Sequence, residues 1–283
     1  MSEVPDIVLF DMDGTLVPAR EQISFDSDIV GVLIDLLQFA DVGIVTGADL
    51  DSILKQCDVP GLREGILNSN HAFWLLPCNG TQVHLLNPRT KAWEQIESVK
   101  IRDKIGTRWL NYLYMEIFKA QNRLTLREAD LPFSPPFIQE RQGLVNWSLI
   151  GQSADRAGRD QFETFDKEAL FRDKKVRMLE RLQAGGDLHP FLAFKLGGAS
   201  SIDIYPKGWD KSYALRHFPD QAAWFVGNQC SVGGNDHEIY EVLSEFGRGF
   251  ETTGPLDTIR IIKEVIKPGV TRCEKITKFD KSS

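Results

Sequence analysis

The chain has 283 residues, 42% of them hydrophobic and 26% charged, with a formal net charge of −7. That length supports one or two domains with a sizeable core. The acidic balance argues against a nucleic-acid or membrane-surface partner, because the whole-protein field would repel either phosphate-rich surface, so any anionic ligand must be met by local basic groups or a metal.

In chain order, the first element is the apolar run Ile7–Phe10, which reads as a buried strand and ends directly in Asp11-Met12-Asp13-Gly14-Thr15. Residues i and i+2 of a strand share a face, so Asp11 and Asp13 would repel and raise one another's pKa unless a cation offset them. At a strand end the same pair can serve as nucleophile and general acid/base beside one divalent ion. A bare Asp-x-Asp also fits an Asp-rich turn, and it is the remote matches below that favour a site.

Asp26–Leu37 has the apolar spacing of a crossover helix, and Val42–Val45 before Thr46 is the next buried strand, completing a βαβ unit. Trp93–Lys119 reads as an amphipathic helix. After Pro132, Pro135 and Pro136, Gly143–Ile150 reads as a strand, Phe162–Leu182 as one charged amphipathic helix, and Ser201–Tyr205 as a half-buried alternating strand. A third buried run, Ala222–Val226, ends in Gly227-Asn228. Parallel strands whose carboxyl ends carry polar residues open into an active-site crevice, and the different texture of the middle third suggests an inserted cap. Lys267–Ser283 reads as a weakly ordered basic tail. The four cysteines, Cys57, Cys78, Cys230 and Cys273, lack close metal-site spacing, and no signal peptide or long apolar span appears, so a cytoplasmic protein with reduced thiols is expected.

With these pieces in order, the sequence resembles the haloacid-dehalogenase superfamily and, within it, the eukaryotic-type phosphomannomutases, from about Ile7 to Ile262. Asp11-Met12-Asp13-Gly14-Thr15-Leu16 is similar to the nucleophile motif, and Arg20 stands where the mutases carry a phosphate-contacting arginine. Gly197-Gly198, Ser201, Asp203, Pro206 and Gly208-Trp209-Asp210-Lys211 resemble the segment that binds sugar hydroxyls and supplies the motif lysine. Gly227-Asn228 through Asn235-Asp236-His237-Glu238 resembles the metal loop.

The resemblance implies an α/β fold: a Rossmann-like core from residues 1–90 and 207–283, with an α/β cap at 91–206. It implies a phosphohexomutase that interconverts hexose 6-phosphate and hexose 1-phosphate through an aspartyl-phosphate and a hexose 1,6-bisphosphate activator. Asp11 would be the nucleophile, Asp13 the acid/base and Lys211 the fixed positive charge. Mg2+ would be held by the Asp11 carboxylate, the Asp13 backbone carbonyl and Asn228, with Asn235 and Asp236 supporting them. Arg20, Thr46, Arg141, Ser201 and Asp203 would bind the sugar phosphate. The resemblance is also compatible with a homodimer through the cap.

Taken singly, Lys211 reads as a surface lysine, Thr46 as a turn or capping residue, Asn228 and Asp236 as turn formers, and Trp209 as packing. The order in which they recur is what favours chemistry. His237 reads as structural, since the scheme already has its acid and base. Two cap arginines expected to clamp the second phosphate are replaced by Ser134 and Gln152, while Arg141 remains; Ala48 and Cys78 also depart from the family's polar Ser and Glu. These losses raise a close alternative, a magnesium-dependent sugar-phosphate phosphatase on the same scaffold. A non-catalytic sugar-phosphate binder is the third reading.

Overall fold

The computed structural model describes residues 4–18, 23–128, 130–219 and 222–266. Arg20 and the tail from 267 onward, with Cys273, lie outside the described residues. The chain divides into two compact units, 1–97 with 211–283, and 98–210. This division is offset from the expected insert of 91–206.

Eleven strands are described: β1 Ile7–Phe10, β2 Asp41–Val45, β3 Phe73–Leu76, β4 Gln82–Leu86, β5 Trp93–Ser98, β6 Ile138–Arg141, β7 Leu144–Ser148, β8 Leu192–Gly197, β9 Ser201–Pro206, β10 Ala223–Gly227 and β11 Gly249–Glu251. The first unit carries a seven-stranded sheet in the order β11-β10-β1-β2-β3-β4-β5. β1 pairs in parallel with β10 and β2, and β2 with β3, whereas β4 runs antiparallel to β3.

β1 is buried along its whole length because it packs on both faces. Val8 and Phe10 join a core with Leu33, Ile44 and Val226, while Ile7 and Leu9 join another with Val45, Ala223 and Phe225. A continuous apolar run is what such a central parallel strand requires. The crossover helix Ser27–Leu36 starts where Asp26 accepts the backbone N–H groups of Asp28 and Ile29, relieving two unpaired donors of the first turn.

The second unit has a four-stranded antiparallel sheet, β6-β7-β9-β8, with Val145, Trp147, Ile202, Ile204 and Phe194 packed into a core that includes Leu113 and Ile117 of the helix Thr107–Arg127. Two expected elements are corrected. Trp93–Ser98 is a strand, and the helices begin only at Ile101 and Thr107. Trp93 and Ile96 have an i, i+3 spacing that imitates a helical face, but Ile96 is exposed at the sheet edge. The long helix expected over Phe162–Leu182 is two, Arg156–Ala169 and Phe171–Ala184, because Leu170 takes a left-handed conformation at φ 48°.

Candidate active site

The turn after β1 is built around the Met12 carbonyl, which accepts the backbone N–H groups of Thr15, Leu16 and Val17 at 3.2, 2.9 and 3.2 Å, with Gly14 supplying a φ of 87°. Asp11 itself donates its backbone N–H to Val226 of β10 at 3.0 Å, which fixes its side chain at the ends of two adjacent strands. Thr15 Oγ1 donates to Asp11 Oδ2 at 3.2 Å, and Thr258 Oγ1 holds the Thr15 carbonyl at 2.8 Å.

Lys211, distant in sequence, is 1% exposed and donates from one ammonium to Asp11 Oδ1 and, at 2.5 Å, to Asp236 Oδ1. The other oxygen of Asp236 accepts the backbone N–H groups of Asn228 and Gln229 at 3.1 and 2.9 Å, so one fully buried carboxylate orders both the lysine and the loop after β10. Asp11, Lys211, Asp236 and the Asn228 backbone are thus brought together. Lys211 is no surface lysine, and Asp236 ties this loop down with its side chain.

Two buried carboxylates share one ammonium, leaving an excess of negative charge. Burial and the Asp236 charge together push the Asp11 carboxyl up to about 7, against the lowering effect of Lys211. Although the Asp13 side chain reaches solvent, the protein around it raises its carboxyl as well, while Lys211 opposes the rise. Burial works against the charged Lys211, but the two carboxylates outweigh it and hold the amine protonated well above its ordinary range.

Among the described residues, the side-chain carbonyl oxygens of Asn228 and Asn235 are buried and accept no hydrogen bond. An orphaned acceptor carries a desolvation cost. Together with the unbalanced carboxylates, it makes an oxygen-rich, electron-rich donor set of the kind that suits a hard divalent cation, and the expected ligands Asp11, Asp13 and Asn228 are among these residues. No cluster of three or more His, Cys, Asp or Glu side chains with metal-binding geometry occurs among the described residues. The expected set is of a different kind, since it draws on an amide and a backbone carbonyl.

Thr46 is buried at the end of β2; its hydroxyl accepts the Ala48 backbone N–H at 3.2 Å and its carbonyl accepts that of Asn79 at 2.8 Å. Asn79 sits in the turn Pro77–Gly80, where Cys78 and Asn79 both have positive φ. Gly80 closes that turn against the segment carrying Lys211: a Cβ on it would lie 2.8 Å from Ala214 Cα, and its carbonyl receives His217 Nε2 at 2.8 Å. His237 donates from Nδ1 to the Cys230 carbonyl at 3.0 Å, a loop-ordering role. Trp209 is buried, as a packing residue would be.

In the second unit, Asn146 Nδ2 donates to Asp203 Oδ1 at 2.6 Å, and Gln152 Nε2 donates to Asn146 Oδ1. Arg141 Nε donates to Gln139 Oε1 at 2.9 Å, and Ser201 Oγ to the Gly197 carbonyl at 2.8 Å. Arg141, Ser201 and Asp203 are therefore placed on one sheet together with Lys195, which sequence reasoning did not nominate. Its alternation with the core residue Phe194 is readable locally, but its place opposite Asp203 comes only from the β8–β9 register. Ser134 and Gln152 are linked through backbone, since Ser134 donates to Ile150 and a Cβ on Gly151 would strike the Ser134 carbonyl at 1.9 Å.

A family model described as eukaryotic phosphomannomutase matches residues 29–268. The chain is 33% identical over 265 residues to a phosphomannomutase of Glycine max, covering 92% of this chain and 95% of the relative. It is 32% identical to that of Saccharomyces cerevisiae, covering 92% and 93%. Among solved structures, it superposes on an N-terminally truncated, IMP-bound IMP-nucleotidase of Plasmodium falciparum with a TM-score of 0.59 and 14% identity, over 92% of this chain and 68% of that one. A trehalose-6-phosphate phosphatase related protein gives 0.50 and 16% identity, over 94% and 99%. At such identities these two share the fold alone.

Proposed function

This chain belongs to the eukaryotic phosphomannomutase family and is a phosphohexomutase, and we propose that it isomerises hexose 6-phosphate and hexose 1-phosphate at Asp11, using Mg2+ and a hexose 1,6-bisphosphate activator. The observation that carries the assignment of roles is the sharing of the Lys211 ammonium between Asp11 and Asp236. A carboxylate attacks a phosphate dianion only if its own charge is screened, and a buried lysine held rigidly against it does this without reorganisation.

Family membership implies a divalent metal. When bound, it would draw on Asp11, Asp13 and Asn228, supply Lewis-acid charge to the phosphoryl oxygens, and keep Asp11 ionised at neutral pH. Asp11 then forms a bond to phosphorus as the sugar oxygen leaves, and Asp13 delivers the proton that oxygen needs. In the return step Asp13 removes the proton of the incoming sugar hydroxyl while the phosphoryl group passes from Asp11 to that oxygen. Thr15 and Lys211 fix the Asp11 oxygens throughout, and the Thr46 hydroxyl contributes a hydrogen bond to the transferred group. Arg141, Ser201 and Asp203 bind the sugar phosphate, with Arg20 a further phosphate contact.

A cytoplasmic location is part of the proposal; no helix among the described residues is long and apolar enough to cross a membrane. So is a homodimer through the second unit, supported by Tyr112, Met115 and Phe118, which are exposed at helical spacing on one face. Ser134 and Gln152 favour a second reading, in which water intercepts the aspartyl-phosphate and phosphate is released. Phosphorus NMR with Mg2+ and hexose 1-phosphate separates the two: isomerisation that accelerates on adding hexose 1,6-bisphosphate supports the mutase, and phosphate release alone overturns it.

A further inference from the structure

We propose that Lys195 is a substrate-binding residue that holds the non-reacting phosphate of the sugar, a role that rests on the phosphohexomutase reading. The argument starts from register. Gln139 of β6 lies opposite Asn146 of β7, Asn146 opposite Asp203 of β9, and Asp203 opposite Lys195 of β8. Directly opposed residues share a face, so these four side chains form one polar row crossing all four strands. Their neighbours Val145, Ile202, Ile204 and Phe194 point to the other face, into the core.

Two residues along, Arg141 shares the polar face, since it is i+2 from Gln139 on the same strand. Arg141 and Lys195 are the cationic strand residues of this face, one on each edge strand of the sheet. Between them the row is held by hydrogen bonds: Gln152 to Asn146, and Asn146 to Asp203. Gly197 makes room for the Asp203 carboxylate on this face, because a Cβ there would come within 2.6 Å of Asp203 Oδ2. A face with an acidic and amide centre for hydroxyl groups, flanked by two cations, has the charge layout of a sugar phosphate. Where an amide stands at Gln152, a lysine on the same sheet supplies the positive charge. An ammonium is a point donor on a flexible stem, so it can follow a phosphate in either orientation of the sugar.

The test uses the full-length enzyme with Mg2+, measuring initial rates with hexose 1-phosphate and hexose 1,6-bisphosphate. Lys195→Met is expected to raise KM for the hexose phosphate by about 10- to 100-fold, the loss typical of one charge-assisted contact, with kcat changed by less than about threefold. The increase of KM with added salt should become shallower in Lys195→Met, and Lys195→Arg should recover most of the affinity. Circular dichroism melts of both variants, with Lys195→Gln as a second neutral replacement, separate a folding defect from a binding one. Unchanged KM and salt dependence in a folded neutral variant overturns the proposal. So does an equal loss in the methionine and arginine variants, which would mark a packing role. Absence of phosphoryl transfer in the parent enzyme would instead overturn the mutase reading, independently of Lys195.

Discussion

Asp236 holds Lys211 at 2.5 Å with one carboxylate oxygen and the Asn228 and Gln229 backbone with the other, so the charge that faces Asp11 and the loop after β10 share a single anchor. Asp236→Asn removes the charge but keeps the shape. Because Lys211 retains Asp11 as partner, the cost to stability should be about 1–3 kcal/mol, below that of stranding a buried charge outright. The loss of kcat should exceed 100-fold, because the lysine loses one of the two carboxylates that fix its position. Denaturant titration alongside steady-state rates checks both; a full-rate variant would show that Asp236 does not position Lys211 for the reaction.

Asp11→Asn should abolish phosphoryl transfer without harming the metal-free fold. Asp11 and Asp236 share one ammonium, so removing one negative charge leaves a neutral pair, and burial already penalises the charged form of Asp11. Stability without metal is therefore expected to stay level or rise. Urea unfolding that revealed a loss of more than about 1 kcal/mol would contradict this balance.

Mg2+ should stabilise the parent protein measurably. A ligand at about a hundred times its Kd adds about 2.7 kcal/mol, and chelation should abolish turnover. Asn228→Ala, which deletes the orphaned buried acceptor, should weaken the Mg2+-dependent rise in Tm. A metal-dependent rise identical in the variant would remove Asn228 from the ligand set.

Gln152→Arg should raise the ratio of isomerisation to phosphate release. A guanidinium can hold a phosphate bidentately where an amide makes a neutral contact, and it can still donate to Asn146 as Gln152 does. Measuring both products in parent and variant decides the matter; a flat or falling ratio means that this position does not meet the phosphate.

Gly80→Ala should cost at least about 2 kcal/mol, since the new methyl group must occupy a backbone contact at positive φ beside Ala214. The displaced segment carries Lys211, so kcat should fall with stability. A melt unchanged within 2 °C would argue that the turn relaxes freely.

The strand ends were legible because β1, β2 and β10 are buried on both faces and so read as unbroken apolar runs, each ending at Asp11, Thr46 or Gly227-Asn228. Lys211 was legible only through its motif, as nothing local to a lysine announces that two distant carboxylates will bury it. The edge strand Trp93–Ser98 was misread because an exposed edge need not alternate cleanly, and the break at Leu170 because a left-handed leucine has no compositional mark. Lys195 needed register, which tertiary pairing alone supplies.

Asp11 and Lys211 lie 200 residues apart, and β1 takes as its neighbour β10, which follows Lys211 in the chain. During vectorial synthesis at about 5–20 residues per second, the nascent strand β1 waits about 10–40 s for that neighbour to leave the ribosome. The contiguous stretch 98–210 has all its sheet partners in hand by then. The strand that leads into Asp11 is thus among the earliest to emerge and among the last to be enclosed. For that interval the apolar run Ile7–Phe10 lacks one strand partner, an unpaired edge that closes only when β10 arrives.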